Sequence, residues 1–349
     1  MNIDHKYMQR ALELGKNALG SAAPNPMVGC VIVHNQHIIG EGFTSAFGGP
    51  HAEVNAINAV SDKSLLSKAT LYVTLEPCSH FGKTPPCADL IATFKIPRVV
   101  IGLIDPNKKV AGKGIEKLKS YGCELTVGVL EAECRFHHRR FLTMQEKKRP
   151  FVILKWAETT DGFIAPLKEM RRFKPEPFWI TTKKSRQLVH KWRSKEMSIL
   201  AGTTTVLEDN PKLNVRDYAG KAPLKLIIDK SLKIPSSAAI YNDNTKVIVF
   251  NNTKSSNFEN SIVFKQLEFT KNIPSQILQF LYEFEISSVF IEGGAKTIQS
   301  FIDANLWDEA RVFKGKSNFG EGTKAPVLVS KSNFRTSVLQ DQLYTYYND

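Results

Sequence analysis

Long apolar runs, low-complexity tracts and internal repeats are all missing from this 349-residue sequence. Without a continuous apolar stretch nothing can act as a membrane span or secretory signal, because the opening MNIDHKYMQRALELGKNAL sets charges between apolar residues at helical spacing. A cytoplasmic protein with no membrane partner is the expectation. Cysteine is scarce: the five residues Cys30, Cys78, Cys87, Cys123 and Cys134 are odd in number and lack framework-like spacing. That excludes a disulfide scaffold and leaves metal binding or plain burial. Acidic residues are in deficit, 34 against 47 Lys and Arg, for a net charge of +13. Also missing is an aromatic-rich basic stretch of the kind that stacks RNA bases. What is there is a folded-chain composition, 42% apolar and 23% charged, on a length that normally divides into two cores.

The basic excess is uneven. Residues 1–146 hold 16 Lys and Arg against 13 Asp and Glu, whereas residues 147–349 hold 31 against 21. Such a second half suits phosphorylated small molecules and would equally suit nucleic acid, although solvated lysine faces account for most charge of this kind.

Periodicity gives an α/β layered first half. MVGCVIV and HIIGEGF read as strands, HAEVNAINAV as a helix, ATLYVTLEP as a strand, CADLIATF as a helix, RVVIGLIDP as a strand, GIEKLKSYG as a helix closed by Gly122, and ELTVGVL as a strand. A charge run meets Pro150 in QEKKRP, which places the boundary there. Beyond it FVILKWA, MSILAG, PLKLIID, TKVIVF and SSVFIEGG read as strands, with SRQLVHKWRS, SQILQFLYEFE and AKTIQSFIDANL as helices; EARVFKG, APVLVS and a strand-rich stretch close the chain. A second sheet flanked by helices is expected.

Chemistry concentrates in the first half. His51-Ala52-Glu53 opens a helix, Glu76-Pro77-Cys78 follows about 25 residues on, and Cys87 ends Pro85-Pro86-Cys87. This is the H-x-E…P-C…C pattern of zinc deaminases. One imidazole and two thiolates hold Zn²⁺ with a fourth position open for water, whose proton is then lost near neutral pH. The hydroxide so formed attacks an amidine carbon. A carboxylate that is not a ligand must carry that proton to a ring nitrogen and later deliver a second one to departing ammonia, and Glu53 is placed for that task. Cys78 and Cys87 are expected near a helix N-terminus, which favours thiolate. Cys30, Cys123 and Cys134 lack ligand partners nearby and read as structural. In the second half Glu292-Gly293-Gly294 ends a strand and opens a helix, a geometry that brings backbone N–H groups to a phosphate, and Arg193 and Arg216 suit bidentate phosphate contact.

The segments PNPMVGCVIV, GGPHAEVNAI, YVTLEPCSHFGKTPPCADLI and LIDPN resemble the deaminase half of the bifunctional deaminase–reductases of riboflavin biosynthesis. LKWAETTDG, FWIT, VHKWRS, ILAGTTTVLEDNPKLNVR and IEGGAKTIQSF carry the resemblance through nearly the whole chain. It implies a cytidine-deaminase-like α/β/α layered domain over residues 1–146, a zinc-dependent pyrimidine deaminase, and a dihydrofolate-reductase-like α/β domain over residues 147–349, an NADPH-dependent reductase. The implied reactions are hydrolytic deamination of a diaminopyrimidinone ribosylamine 5′-phosphate, then reduction of the product's ribosyl group to ribityl. Asn25, His80, Lys83, Asp105 and Asn107 are implied to contact the deaminase substrate, and Arg193, Leu213, Arg216 and Glu292 the reductase substrate. Ala157, Trp179, Thr205, Asp209 and the run Gly294, Ala295, Lys296, Thr297, Ile298, Gln299 and Ser300 are implied to contact NADPH. For the hydride step, positioning is the main catalytic factor expected, and no general acid is assigned.

The cysteine spacing agrees with a small-molecule substrate. Nucleic-acid editing deaminases use C-x-x-C, whereas SHFGKTPP separates the pair here and makes a loop carrying His80 and Lys83, suited to a phosphorylated sugar. That spacing weighs against the rival reading, an editing deaminase with a basic RNA-binding module, so no nucleic-acid partner is expected. A second rival keeps the deaminase and has lost the reductase. It is raised by Pro177, standing where the resemblance expects a substrate-binding Ser, and by the long basic segment APLKEMRRFKPEPFWIT. Thr44-Ser45 departs from the His-Glu of many relatives. Nicotinamide preference and self-association into a homo-oligomer are left open.

Overall fold

The computed structural model describes residues 2–79, 85–106, 111–170, 175–331 and 334–348, and the chain divides into two compact units, residues 1–148 and 149–349. Among the described residues no helix is long and apolar enough to cross a membrane.

The first unit runs α1 (Ile3–Gly15), β1 (Gly29–His34), β2 (His37–Phe43), α2 (Ala52–Ala59), β3 (Thr70–Val73), α3 (Cys87–Thr93), β4 (Arg98–Ile101), α4 (Lys113–Ser120), β5 (Glu124–Val127) and α5 (Glu131–Glu146). Its sheet has the order β2-β1-β3-β4-β5. The apolar, β-branched centres of β1, β3 and β4 are buried on both faces, as strands covered by helices on either side must be. Pairing is antiparallel between β2, β1 and β3 and parallel from β3 through β5. The register therefore brings the start of β1 and the ends of β2, β3 and β4 to one edge: Gly29 faces Phe43, Cys30 faces Val73, and Val73 faces Ile101.

Helix α2 lies tight on β2. A Cβ at Gly42 would stand 2.4 Å from the Ala52 carbonyl oxygen, so glycine there is what lets the helix start descend onto the strand. The far end of α2 is closed by Lys63, whose ammonium donates to the carbonyls of Ile57, Asn58 and Val60.

The second unit runs β6 (Phe151–Glu158), β7 (Phe163–Pro166), α6 (Lys183–Arg193), β8 (Ser198–Gly202), α7 (Thr203–Asp209), β9 (Leu224–Ile228), β10 (Val247–Asn251), β11 (Ile262–Gln266), α8 (Ile273–Glu283), β12 (Ser288–Gly293), α9 (Ala295–Asp303), β13 (Glu309–Lys314), β14 (Gly322–Lys324), β15 (Phe334–Val338) and β16 (Asp341–Tyr347). The main sheet has the order β11-β10-β9-β8-β12-β6-β13-β16-β15, parallel from β11 to β13 and antiparallel beyond. Apolar clusters fill both of its faces.

Several expectations change here. ATLYVTLEP and RVVIGLIDP form only short strands, because the backbone after Val73 and Ile101 leaves the ladder to build loops. Helix α5 has no counterpart in the periodicity reading, which its buried His137 and His138 obscure. The closing APVLVS is irregular, with Val327 and Val329 turned outward.

Candidate functional site

In the first unit the shared sheet edge assembles the chemistry. His51 is the N-cap of α2 and Glu53 lies in its first turn, Cys78 follows β3, and Cys87 opens α3. His51 Nδ1 stands 3.3 Å from Cys87 Sγ and 3.7 Å from Cys78 Sγ, and the three donor atoms lie within 4.8 Å of one another. In a tetrahedral zinc site, with Zn–S near 2.3 Å and Zn–N near 2.1 Å, ligand atoms stand about 3.5 Å apart. The donor set and its spacing fit that ion. The Cys87 backbone N–H donates to Cys78 Sγ at 3.3 Å, and the Cys87 thiol and His51 act with it to draw the Cys78 thiol down to about 4. Glu53 is 3% exposed and lies outside the three-donor cluster. Burial, followed by the Cys78 sulfur, pushes its carboxyl up to about 7.

Two loops complete this edge. Asn25 precedes β1, in a turn fixed by its own N–H to the Ala22 carbonyl and by His137 Nε2 against the Met27 carbonyl at 2.6 Å. Asp105 follows β4 and is buried. His80, Lys83 and Asn107 lie outside the described residues. Thr44, one of the departures noted above, is buried and exchanges hydrogen bonds with the Val28 backbone, while Ser45 Oγ accepts from Asn55. Cys30 and Cys134 are buried, and Cys123 Sγ donates to the Ile96 carbonyl; all three are free thiols.

The second unit carries a cavity of about 770 Å³ at the carboxyl ends of β6, β8, β9 and β12, where open α/β sheets place their ligands. Of the candidate residues it gathers Ala157, Trp179, Arg193, Thr205, Asp209, Leu213, Arg216, Glu292, Gly294, Ala295, Lys296, Thr297 and Ile298. Gln299 and Ser300 are not in its wall: Gln299 exchanges hydrogen bonds with the Val327 backbone, and Ser300 Oγ donates to the Thr297 carbonyl within α9. Pro177 lines the same space.

Glu292 organises the inner wall. Arg193 donates to it through Nε at 2.5 Å and through a terminal nitrogen at 2.8 Å, and Lys155 Nζ stands 3.9 Å away. Burial would raise the Glu292 carboxyl, but the Arg193 guanidinium overrides this and holds it below the usual carboxylate range. Burial lowers the Lys155 ammonium. His190 is pushed down to about 4 by burial and then by Arg193 and Arg216, so it is neutral at pH 7, and its Nδ1 accepts the Arg216 backbone N–H.

Comparisons with known proteins cover both parts of the chain. Residues 1–103 match the family described as cytidine and deoxycytidylate deaminase zinc-binding region, and residues 150–349 match the RibD C-terminal domain. The riboflavin biosynthesis protein RibD of Aquifex aeolicus is 40% identical over 324 residues, spanning 92% of this chain and 89% of that protein.

The chain belongs to the RibD family.

The RibD protein of Bacillus amyloliquefaciens is 37% identical over 96% of this chain and 90% of its own length. A crystal structure of a diaminohydroxyphosphoribosylaminopyrimidine deaminase/5-amino-6-(5-phosphoribosylamino)uracil reductase from Thermotoga maritima, 38% identical, superposes with a TM-score of 0.86 over 98% of both chains. Acinetobacter baumannii RibD, 32% identical, gives 0.88 over 99% of this chain and 98% of that one. The fold is thus that of a RibD protein, with an N-terminal cytidine-deaminase-like domain and a C-terminal RibD reductase domain, and the chain is a bifunctional deaminase and reductase of the riboflavin-biosynthesis type.

The sequence reading passed over two residues of this RibD chain. Glu76 is buried and accepts four backbone N–H groups, from Asp105 and Gly112 on one oxygen and from Gly114 and Ile115 on the other, at 2.9–3.3 Å. It ties the loop that carries Cys78 to both ends of the segment after β4. Gly114 is required for this approach, since a Cβ there would stand 2.0 Å from the Pro77 carbonyl oxygen. Glu76→Gln turns two donors toward donors, and we expect a loss of about 3 kcal/mol in urea unfolding of the first unit; an unchanged midpoint would refute this role. Lys155, an isolated polar residue in the apolar strand FVILKWA, is the other; nothing in the sequence paired it with Glu292.

Arg193 differs from the contact its sequence suggested, because Glu292 and the Asn214 carbonyl already engage its guanidinium. Arg193→Ala should cost about 3 kcal/mol by leaving a buried carboxylate, whereas Arg216→Ala, at an exposed position, should stay within about 0.5 kcal/mol. Equal losses in denaturant unfolding would contradict this division.

Proposed function

We propose that a deaminase domain, residues 1–146, deaminates 2,5-diamino-6-ribosylamino-4(3H)-pyrimidinone 5′-phosphate, and that a reductase domain, residues 147–349, reduces the ribosyl group of the resulting 5-amino-6-(5-phosphoribosylamino)uracil with NADPH. The observation that carries the reading is the cluster of His51, Cys78 and Cys87 with Glu53 buried beside it but outside it. Zinc held by those three residues supplies a Lewis acid able to make a nucleophile of water near neutral pH. Glu53 would take a proton from water and pass it to the ring nitrogen, then take a second from the hydroxyl added to the ring carbon and give it to the amine, which leaves as ammonia as the carbonyl forms. Asn25 and Asp105, on loops at the same edge, are assigned to the pyrimidine, with His80, Lys83 and Asn107 assigned to the same substrate from the sequence alone.

In the second unit NADPH supplies the hydride. The chain's own task is to hold the two molecules face to face and exclude water. Thr205, Gly294 and the start of α9 are assigned to the cofactor, with Ala157, Trp179 and Asp209. Leu213, Arg216 and the Glu292 group are assigned to the substrate. Glu292 fixes Arg193 and brings Lys155, lowered by burial, to the inner wall. Pro177 removes one hydroxyl from that wall and leaves its other polar groups in place.

Incubation with the diaminopyrimidinone substrate, followed by separation of products, tests both halves. Deaminated uracil without NADPH and its ribityl derivative with NADPH are expected. Deamination that stops at the uracil with NADPH present would favour the reading in which the reductase half is inactive.

A further inference from the structure

We propose that Arg186 is a phosphate-binding residue of the second unit's cavity. It lies on α6 one turn before His190 and two before Arg193, and all three line the cavity. Its guanidinium sits over the Trp179 ring, 4.1 Å from the centroid. Stacking of that kind covers the flat face of the group and leaves the in-plane N–H donors to find acceptors. Its Nε is buried and has no hydrogen-bond partner among the described residues. An unmade hydrogen bond from a buried charged donor is destabilising, and the side chain as a whole is half-buried in the cavity wall and so is open to what enters there. The inner-wall carboxylate cannot serve, because Glu292 is engaged by Arg193 and Lys155.

The acceptor is a phosphate because a guanidinium fork matches its paired, charged oxygens. The backbone beneath the fork is fixed beforehand: Asp341 accepts from the Thr182 N–H, the Thr182 hydroxyl and the Ser185 hydroxyl at 2.6–2.8 Å, pinning the first turn of α6. Arg186 is thus presented on a rigid support, which reduces the ordering that binding requires.

This inference rests on the reductase reading. Under it two molecules bring a phosphomonoester into the cavity, the substrate with its 5′-phosphate and NADPH with its 2′-phosphate. Steady-state reduction is compared for the unmodified enzyme, Arg186→Met and Arg186→Lys, using phosphorylated and dephosphorylated aminouracil ribosylamine with NADPH, and then NADPH and NADH with the phosphorylated substrate. Arg186→Met is expected to raise the KM of one phosphate-bearing partner by roughly ten- to a hundredfold and to leave its phosphate-free counterpart unchanged. The pair that separates names the phosphate. Arg186→Lys, which keeps the charge and loses the fork, should fall between.

Equal changes for phosphorylated and phosphate-free partners would assign Arg186 to holding Trp179 alone and overturn the proposal, as would no change at all. If Arg186→Met shows no cooperative melt, the comparison is read from Arg186→Lys. Failure of the unmodified enzyme to reduce the aminouracil would sink the reductase reading itself, a different outcome from either of these.

Discussion

Glu53→Gln keeps its zinc and loses deamination by at least about a hundredfold, the scale on which a general acid–base group acts. The amide has the size of the carboxyl and fits the same buried pocket at the start of α2, yet it can neither take the proton from water nor return it to the amine. Glu53 lies outside the cluster of His51, Cys78 and Cys87, so metal content should not change. Metal analysis beside an ammonia-release assay separates the two roles: zinc lost with activity would make Glu53 a ligand or a residue the fold needs. Cys30→Ser, within β1 and away from that cluster, should leave the zinc content as it is.

Cys78→Ser abolishes deamination and leaves reduction intact. Serine replaces one of two sulfur donors, and the remaining imidazole and thiolate fall short of the three protein ligands a catalytic zinc site uses. The second unit has its own core and its own cavity, and no candidate deaminase residue lies beyond residue 148. Substitutions that share no partners act nearly additively. Deaminated ribosylaminouracil phosphate supplied with NADPH should therefore be consumed at the rate of the unmodified enzyme. A variant that melts cooperatively but cannot reduce the supplied intermediate would show that the chemistry depends on both units.

Metal chemistry was legible in the sequence because its spacing is unusual: no amphipathic pattern calls for His, Glu and two prolyl-flanked Cys in that order. Strands such as FVILKWA and TKVIVF were legible because buried parallel strands read as unbroken apolar runs. The ends of β3 and β4 were not, since LEP and LIDP continue the apolar character past the point where the backbone turns into loops. Helix α5 escaped because His137 and His138, buried against the sheet, read as polar in EAECRFHHRRFLTMQE. Glu76 escaped for a different reason. A carboxylate whose partners are backbone amides from residues 105 to 115 leaves no pattern in side-chain identity. Arg193 was found but its contact was not, because its carboxylate partner lies 99 positions away.

Both candidate sites sit where loops leave the carboxyl edge of a sheet, above strands whose side chains are buried on both faces. Such strands tolerate few exchanges, because a changed volume there disturbs close packing on either side. The loops face solvent and ligand instead. Divergence among related chains can therefore collect in the segments that select a substrate while the scaffold stays the same. Ser45 and Pro177 fall in such segments, so this chain can differ from its relatives in what it accepts without differing in how it folds.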